Sequence, residues 1–379
     1  MADLPLIVGA GPVGLAGALF LARKNQPVRL IERLAERSIY SKALAVNPRT
    51  LELLEPTGVT ERMLGIGKRI TQAVVWGGGK PIAQIRVGDL PHRFPFMLAL
   101  SQATSERLLE ESLIESGGRI ERGTELVSSR SLIGQAEATL RPSSGDDSAV
   151  VQAPWLFAAD GARSTVRQSL KIDFRGSSFK TPWGLVDVPM DIDLAEDQAN
   201  TIFLPGGGFL FVMRVYGDAP DTRGSSRPLW RVMGDVADPM QRLADVRKFS
   251  ADAPVWTSSF HIAHRLAKTL QVDKICLGGD AAHIHSPAGA RGMNLGIEDA
   301  WEFAQRITSG RLAGYGASRS KIDGAVVKRI SMLTRMVQGE SFIARAARST
   351  VLPVISDIPS LRVKIMRTLT GTDHKLISG

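Results

Sequence analysis

An apolar run, Leu4-Pro5-Leu6-Ile7-Val8, leads into Gly9-Ala10-Gly11-Pro12-Val13-Gly14. A stretch of helical length, rich in alanine and leucine, then runs from Pro12 to Lys24, and a second apolar run follows, Pro27-Val28-Arg29-Leu30-Ile31. Strand, glycine turn, helix and strand in that order constrain the chain to a βαβ unit with parallel strands. Each glycine has its own task. Gly9 makes the tight turn, Gly11 lets the backbone approach a pyrophosphate, and Gly14 lets the helix lie close on the strand. The helix N-terminus opened by Pro12 then offers free N–H groups to phosphates. Glu32 closes the second strand where an acidic residue accepts a ribose hydroxyl, and Arg33 is placed to lie on the adenine. A glycine turn that merely joins strand to helix is the plainer alternative, and the strand, helix and acid together outweigh it.

Two later segments belong with this unit: Asp160-Gly161-Ala162-Arg163-Ser164-Thr165-Val166-Arg167, and Gly278-Gly279-Asp280-Ala281-Ala282-His283 running on to Asn294. With Ser41-Lys42-Ala43-Leu44, Pro48 to Leu54 and Ser101 to Leu109, they resemble the FAD-dependent aromatic hydroxylases, single-component flavoprotein monooxygenases of the para-hydroxybenzoate hydroxylase fold. The resemblance covers nearly the whole chain. It implies that Asp160 and Arg167 lie near the flavin pyrophosphate and a nicotinamide groove, and that Gln102 contacts the cofactor chain. It also implies that Gly279 and Asp280 hold the ribityl chain, and that Pro287 and the loop from Gly289 through Gly292, Met293 and Asn294 pass the isoalloxazine. Physical chemistry agrees: a carboxylate accepts ribityl hydroxyls, and N–H groups at a helix start stabilise negative charge on a reduced flavin.

The chain departs from the family pattern in three places. Lys42 stands where arginine is usual, keeping the charge without the bidentate geometry. Gly289-Ala290-Arg291-Gly292 replaces Gly-Gly-Gln-Gly, and the plainer expectation sends Arg291 to solvent. The sequence also runs only to Gly379, so the C-terminal domain some relatives carry is not expected.

The fold class is α/β: a Rossmann-like FAD-binding domain, an inserted substrate domain on an antiparallel sheet, and a helical C-terminus. The expected FAD-binding parts are residues 1–67, 99–171 and 266–310. Residues 68–98 and 172–265, with short alternating apolar runs, form the substrate domain, and 311–379 the C-terminal helical segment. Trp183, Phe211 and Trp230 are the substrate candidates, against the plainer reading that tryptophans pack cores. In the C-terminal segment Ile330, Leu333, Val337 and Phe342 form an apolar stripe, with Lys328, Arg329, Arg335, Arg345 and Arg348 around it. Peripheral membrane contact is the lesser reading of that pattern, and core with a solvated back is preferred.

A formal charge of +9 with scattered Lys and Arg fits anionic cofactors better than nucleic acid. One cysteine, Cys276, in an apolar run, precludes an intramolecular disulfide and fits a reducing cytoplasm. No targeting segment is expected at the N-terminus. His261, His264, His283 and His285 lack the third ligand a zinc site needs, so no metal is expected, and Ser286 lacks a nucleophile elbow. The Trp-x-Trp-x-Ile-Pro signature of flavin-dependent halogenases is absent.

The expected function is an NADPH- or NADH-dependent FAD monooxygenase acting with molecular oxygen, through a flavin C4a-hydroperoxide, on a phenol-like or polyketide/quinone-like substrate. Pro287 and Gly289 shape the reacting site. The alternatives are a dehydrogenase or reductase of the same fold without oxygen insertion and, more distantly, a flavin-binding or membrane-associated scaffold without turnover. A homodimer, the general base and the nicotinamide preference stay open.

Overall fold

The computed structural model describes residues 4–40, 43–145, 147–222, 224–287, 289–338 and 359–376. Lys42, Phe342, Arg345 and Arg348 lie outside the described residues. The frame is a six-stranded sheet in the order Gln271–Val272, Ile275–Leu277, Leu156–Ala158, Leu6–Val8, Arg29–Glu32, Ile120–Arg122. Its neighbours are parallel except the edge pair formed by the first two. Parallel strands are covered on both faces and so read as continuous apolar runs; Leu6, Ile7, Leu156, Phe157, Ile275 and Cys276 are all buried.

The helix Pro12–Ala22 is buried from Gly14 through Leu21, so it has no polar face and must sit inside the domain. It packs on the helices Gln102–Glu115 and Gly292–Thr308. At Gly17 an added Cβ would touch Ala300, Ile7 and Phe157, which shows how closely helix, sheet and second helix meet.

The second large element is a nine-stranded sheet. It runs in the order His283–Ile284, Trp256–Ala267, Phe174–Ile192, Leu229–Gly234, Phe209–Arg214, Gln198–Phe203, Gln72–Gly77, Lys80–Arg86, with Phe249–Ala251 paired beside Phe174–Ile192. It is antiparallel as expected except that Gln198–Phe203 lies parallel to Gln72–Gly77. The reason is connectivity: the hairpin of residues 72–86 arrives from an earlier part of the chain and is not bound to the antiparallel sense a tight turn imposes. Lys68–Ile70 and Met97–Ala99 pair apart from it, in a small sheet with Ala45–Val46.

One face of the large sheet packs Val186, Val188, Leu210, Val212 and Val232 with Leu243 of the helix Pro239–Ala244. The other carries Trp183, Leu185, Phe209, Met233 and Ile262. The helix Tyr315–Gln338 packs on this second side, where Val337 joins the Trp183 cluster and Gly324 comes against Leu266. Among the described residues no helix is long and apolar enough to cross a membrane.

Candidate functional site

Three neighbouring parallel strands, Leu6–Val8, Leu156–Ala158 and Ile275–Leu277, each end in one of the three sequence segments. In open α/β sheets ligands bind outside the carboxyl ends of the strands. Gly9 holds φ +98°, and a Cβ there would strike the Ala159 carbonyl. A Cβ on Gly14 would fall onto the Gly9 carbonyl oxygen, whereas one on Gly11 would meet nothing within 4 Å among the described residues. Two glycines therefore make the fold possible, and the third faces open space at the start of the helix Pro12–Ala22, which lacks a side-chain cap. Glu32 accepts from Ala10 N at 2.8 Å and from Leu34 N at 2.9 Å, fixing its carboxylate beside the turn with lone pairs to spare. Arg33 is exposed.

The middle segment lies directly against this turn. Asp160 Oδ2 accepts from Val166 N at 3.1 Å, while its buried Oδ1 has no hydrogen-bond partner among the described residues. Burial raises the Asp160 carboxyl above its ordinary range, against the hydrogen bonds from Ser164 and Val166. Ser164 caps the short helix Thr165–Ser169. Arg167 does not line an open groove. It is buried on the ring of Phe174, 3.8 Å from guanidinium carbon to centroid, and donates to Ala162 O at 2.8 Å and Ala281 O at 2.9 Å, tying the middle segment to the late one.

In the late segment Gly279, at φ +57°, leaves no room for a side chain, since a Cβ would lie 2.8 Å from Val13 Cγ2. Asp280 is exposed on this turn. Gly289 holds φ +82° and Ala290 φ 52°, bending the loop into the helix Gly292–Thr308. Pro287 O accepts from Ala290 N at 2.9 Å, and Met293 is half-buried. The Asn294 side chain serves the protein, accepting from Asn47 N at 3.0 Å and donating to Ala45 O at 3.0 Å and Ala290 O at 2.6 Å. Gln102 opens the helix Gln102–Glu115 and donates to Glu106 at 2.8 Å. An open Gly11, an uncapped helix start and the orphaned Asp160 oxygen fit a dinucleotide laid across these strand ends.

A family model described as an FAD binding domain matches residues 5–338. The 6-methylpretetramide 4-monooxygenase of Streptomyces rimosus is 32% identical over 399 residues, covering 99% of this chain and 68% of that protein. The chain belongs to the FAD-dependent aromatic hydroxylases. Pentachlorophenol 4-monooxygenase of Sphingobium chlorophenolicum is 28% identical over 80% of this hydroxylase, which spans 57% of that protein's length. In fold, the hydroxylase is similar to p-nitrophenol 4-monooxygenase from Pseudomonas putida DLL-E4, with a TM-score of 0.83 at 20% identity over 97% of this chain and 98% of that one.

Behind the late segment the hydroxylase holds a buried charge network that the sequence did not disclose. Asp299 Oδ2 accepts from Gly279 N and lies 2.8 Å from His283 Nε2, while its Oδ1 accepts from Arg319 Nε at 2.6 Å. Arg319 also donates to Asp323 at 2.6 Å. Burial works against charge on His283, but Asp299 and Asp323 outweigh it and push the imidazole up to about 9. His283, Asp299 and Asp323 together have metal-ligand chemistry, but the Arg319 guanidinium already lies against both carboxylates and supplies the balancing charge.

Arg291 is not solvent-directed. It is fully buried, 3.6 Å from both Glu298 and Asp373, because the turn after the helix Pro359–Thr370 folds back over the start of the helix Gly292–Thr308. His374 completes this cluster between Glu298, at 2.6 Å, and Asp373, at 3.0 Å. Of the substrate candidates, Trp183 and Phe211 share the sheet face that Val337 joins. Trp230 is on the opposite face, packed with Val188 and Val212. A cavity of about 790 Å³ lies at the other end of the parallel sheet, among Leu4, Ala22, Val28, Leu113 and Val151, and one of about 600 Å³ lies between His92 and Arg367. Neither touches Gly11, Asp160 or Asp280.

Proposed function

We propose that this hydroxylase uses NADPH or NADH and molecular oxygen to add a hydroxyl group to a phenol-like or polyketide/quinone-like aromatic ring. The observation that carries the reading is the convergence of the three segments at the ends of three adjacent strands, with the late one running on into His283–Ile284 of the large sheet that bears Trp183, Phe209 and Phe211. When bound, FAD supplies the redox chemistry, accepting hydride from the nicotinamide and activating oxygen at its C4a position. An aromatic C–H, O2, the reduced nicotinamide and a proton go to the C–OH product, water and the oxidised nicotinamide.

The chain's residues bind, orient and shield. Gly11 and the N–H groups of the helix Pro12–Ala22 take the pyrophosphate, Glu32 the ribose, and Asp280 the ribityl hydroxyls. N–H groups opening the helix Gly292–Thr308 would stabilise negative charge on a bound flavin. Pro287 and Gly289 shape the ring site through the backbone, and the apolar sheet face excludes water from it. The buried thiol of Cys276 supports a cytoplasmic location.

The test is anaerobic addition of NADPH to FAD-loaded protein, followed by oxygen uptake with and without a phenol. Bleaching of the flavin and phenol-stimulated oxygen uptake support the reading; bleaching with no oxygen uptake selects a dehydrogenase or reductase instead.

A further inference from the structure

We propose that His285 and His264 form a neutral hydrogen-bonding notch in the aromatic wall, selecting aromatic substrates that carry a ring hydroxyl. The proposal rests on the hydroxylase reading above and deepens it by naming what the substrate must present. The strand pairs Arg265↔Ile284 and Leu266↔His283 set a register which, continued by one residue, puts His264 opposite His285 on one face. Directly opposed residues on an antiparallel pair are within side-chain reach. His285 also lies against the cofactor loop: a Cβ on Gly292 would be 3.9 Å from its Cε1, and Ser286-Pro287 follow it in the chain.

The donor and acceptor pattern follows from the partners. His285 Nδ1 lies 2.8 Å from Ser286 O. A carbonyl only accepts, so Nδ1 carries the hydrogen and Nε2 of the neutral ring is a bare acceptor. That Nε2, both ring nitrogens of His264 and the indole Nε1 of Trp183 are buried without a hydrogen-bond partner among the described residues. Burial, and then the charges of His283 and Arg291, pull His285 down to about 3; burial and Arg335 pull His264 down to about 4. Both rings are therefore uncharged at neutral pH.

Such unsatisfied groups are rare in native interiors and mark places where something else completes the bonding. Their surroundings say what. Phe179 lies edge-on to His264 with ring centroids 5.1 Å apart, and Phe179, Trp183, Ile262 and Met233 share one apolar cluster. An aromatic ring suits those walls, its hydroxyl donating to His285 Nε2 and accepting from the N–H of the neutral His264 ring.

The experiment titrates FAD-loaded protein with 1-naphthol and with naphthalene, following the flavin absorption band, and reads the ratio of the two dissociation constants. The expected ratio is about tenfold or more in favour of 1-naphthol, the scale of one buried hydrogen bond. His285→Phe collapses the ratio to about one, and His285→Gln, which keeps an acceptor near the Nε2 position, restores part of it. His264→Phe reads the same ratio independently should His285→Phe fail to hold FAD. A ratio unchanged in His285→Phe or His264→Phe, or no response of the wild-type flavin to either aromatic, overturns the notch. Oxygen uptake measured alongside separates the two readings. Uptake stimulated by 1-naphthol with an unchanged ratio refutes the notch alone. The expected ratios without uptake leave the notch standing and refute oxygen insertion.

Discussion

Gly11 and Gly14 stand three residues apart in one turn, yet the structure gives them opposite burdens, and substituting each by alanine separates fold from cofactor. A methyl at Gly14 overlaps the Gly9 carbonyl oxygen, so the helix Pro12–Ala22 must shift against the sheet. Overpacking of this kind costs about 1–3 kcal/mol. Unfolding entropy of roughly 2.1 cal/mol/K per residue amounts to about 0.8 kcal/mol/K over 379 residues, so the melting temperature of the apoprotein should fall by roughly 1–4 °C. A methyl at Gly11 meets no atom of the described residues within 4 Å. Gly11→Ala should therefore leave apoprotein stability within about 0.5 kcal/mol of wild type. It should nonetheless weaken FAD about tenfold or more, about 1.4 kcal/mol, because the methyl would stand where a pyrophosphate is expected to approach. Thermal unfolding of the apoproteins and FAD titration by flavin fluorescence measure both quantities. Wild-type FAD affinity in Gly11→Ala, or a loss of apoprotein stability matching that of Gly14→Ala, would refute the division of labour.

Further expectations concern the charges behind the site. Arg319→Leu leaves Asp299 and Asp323 short of their main counter-charge and should cost about 3–5 kcal/mol in urea unfolding; a loss under about 1 kcal/mol would mean the network is dispensable. His283 titrates at about 9 when folded, from a reference value of 6.5. Its contribution, of the order of 3 kcal/mol, is therefore complete below pH 6.5 and disappears as pH rises through 9. Unfolding free energies of wild type and His283→Gln should converge on that rise, and a constant gap contradicts the assignment. Asp280→Ala should weaken FAD by about 1.5–3 kcal/mol through loss of a charge-assisted hydrogen bond. Arg167→Ala strands the carbonyls of Ala162 and Ala281 and should lower FAD occupancy as well as the rate of flavin reduction; slowed reduction at full occupancy would return Arg167 to a groove role.

What the sequence disclosed is what local spacing encodes. The glycine turn at residues 9–14, the strands around it and the order of the three segments were legible because each is set by residues close together in the chain. Arg291 was misjudged because the groups that bury it, Glu298 and Asp373, include one from a distant turn. Asp299 and Arg319 left no local signal for the same reason: their bonds join two separate helices. Trp230 was grouped with Trp183 and Phe211 because all six residues of Leu229–Gly234 are buried, so no alternation revealed which way each side chain points. The sheet's parallel pair was likewise invisible, since direction depends on how the chain enters the sheet and not on the strand's composition.

The most direct measurement is the isotopic composition of the product formed by FAD-loaded enzyme with NADPH, a hydroxylated aromatic and 18O-labelled oxygen gas. The account predicts one labelled oxygen atom in the newly hydroxylated ring for each product molecule. A product with no label, or NADPH oxidation that yields no hydroxylated ring with any phenol or naphthol, would contradict it.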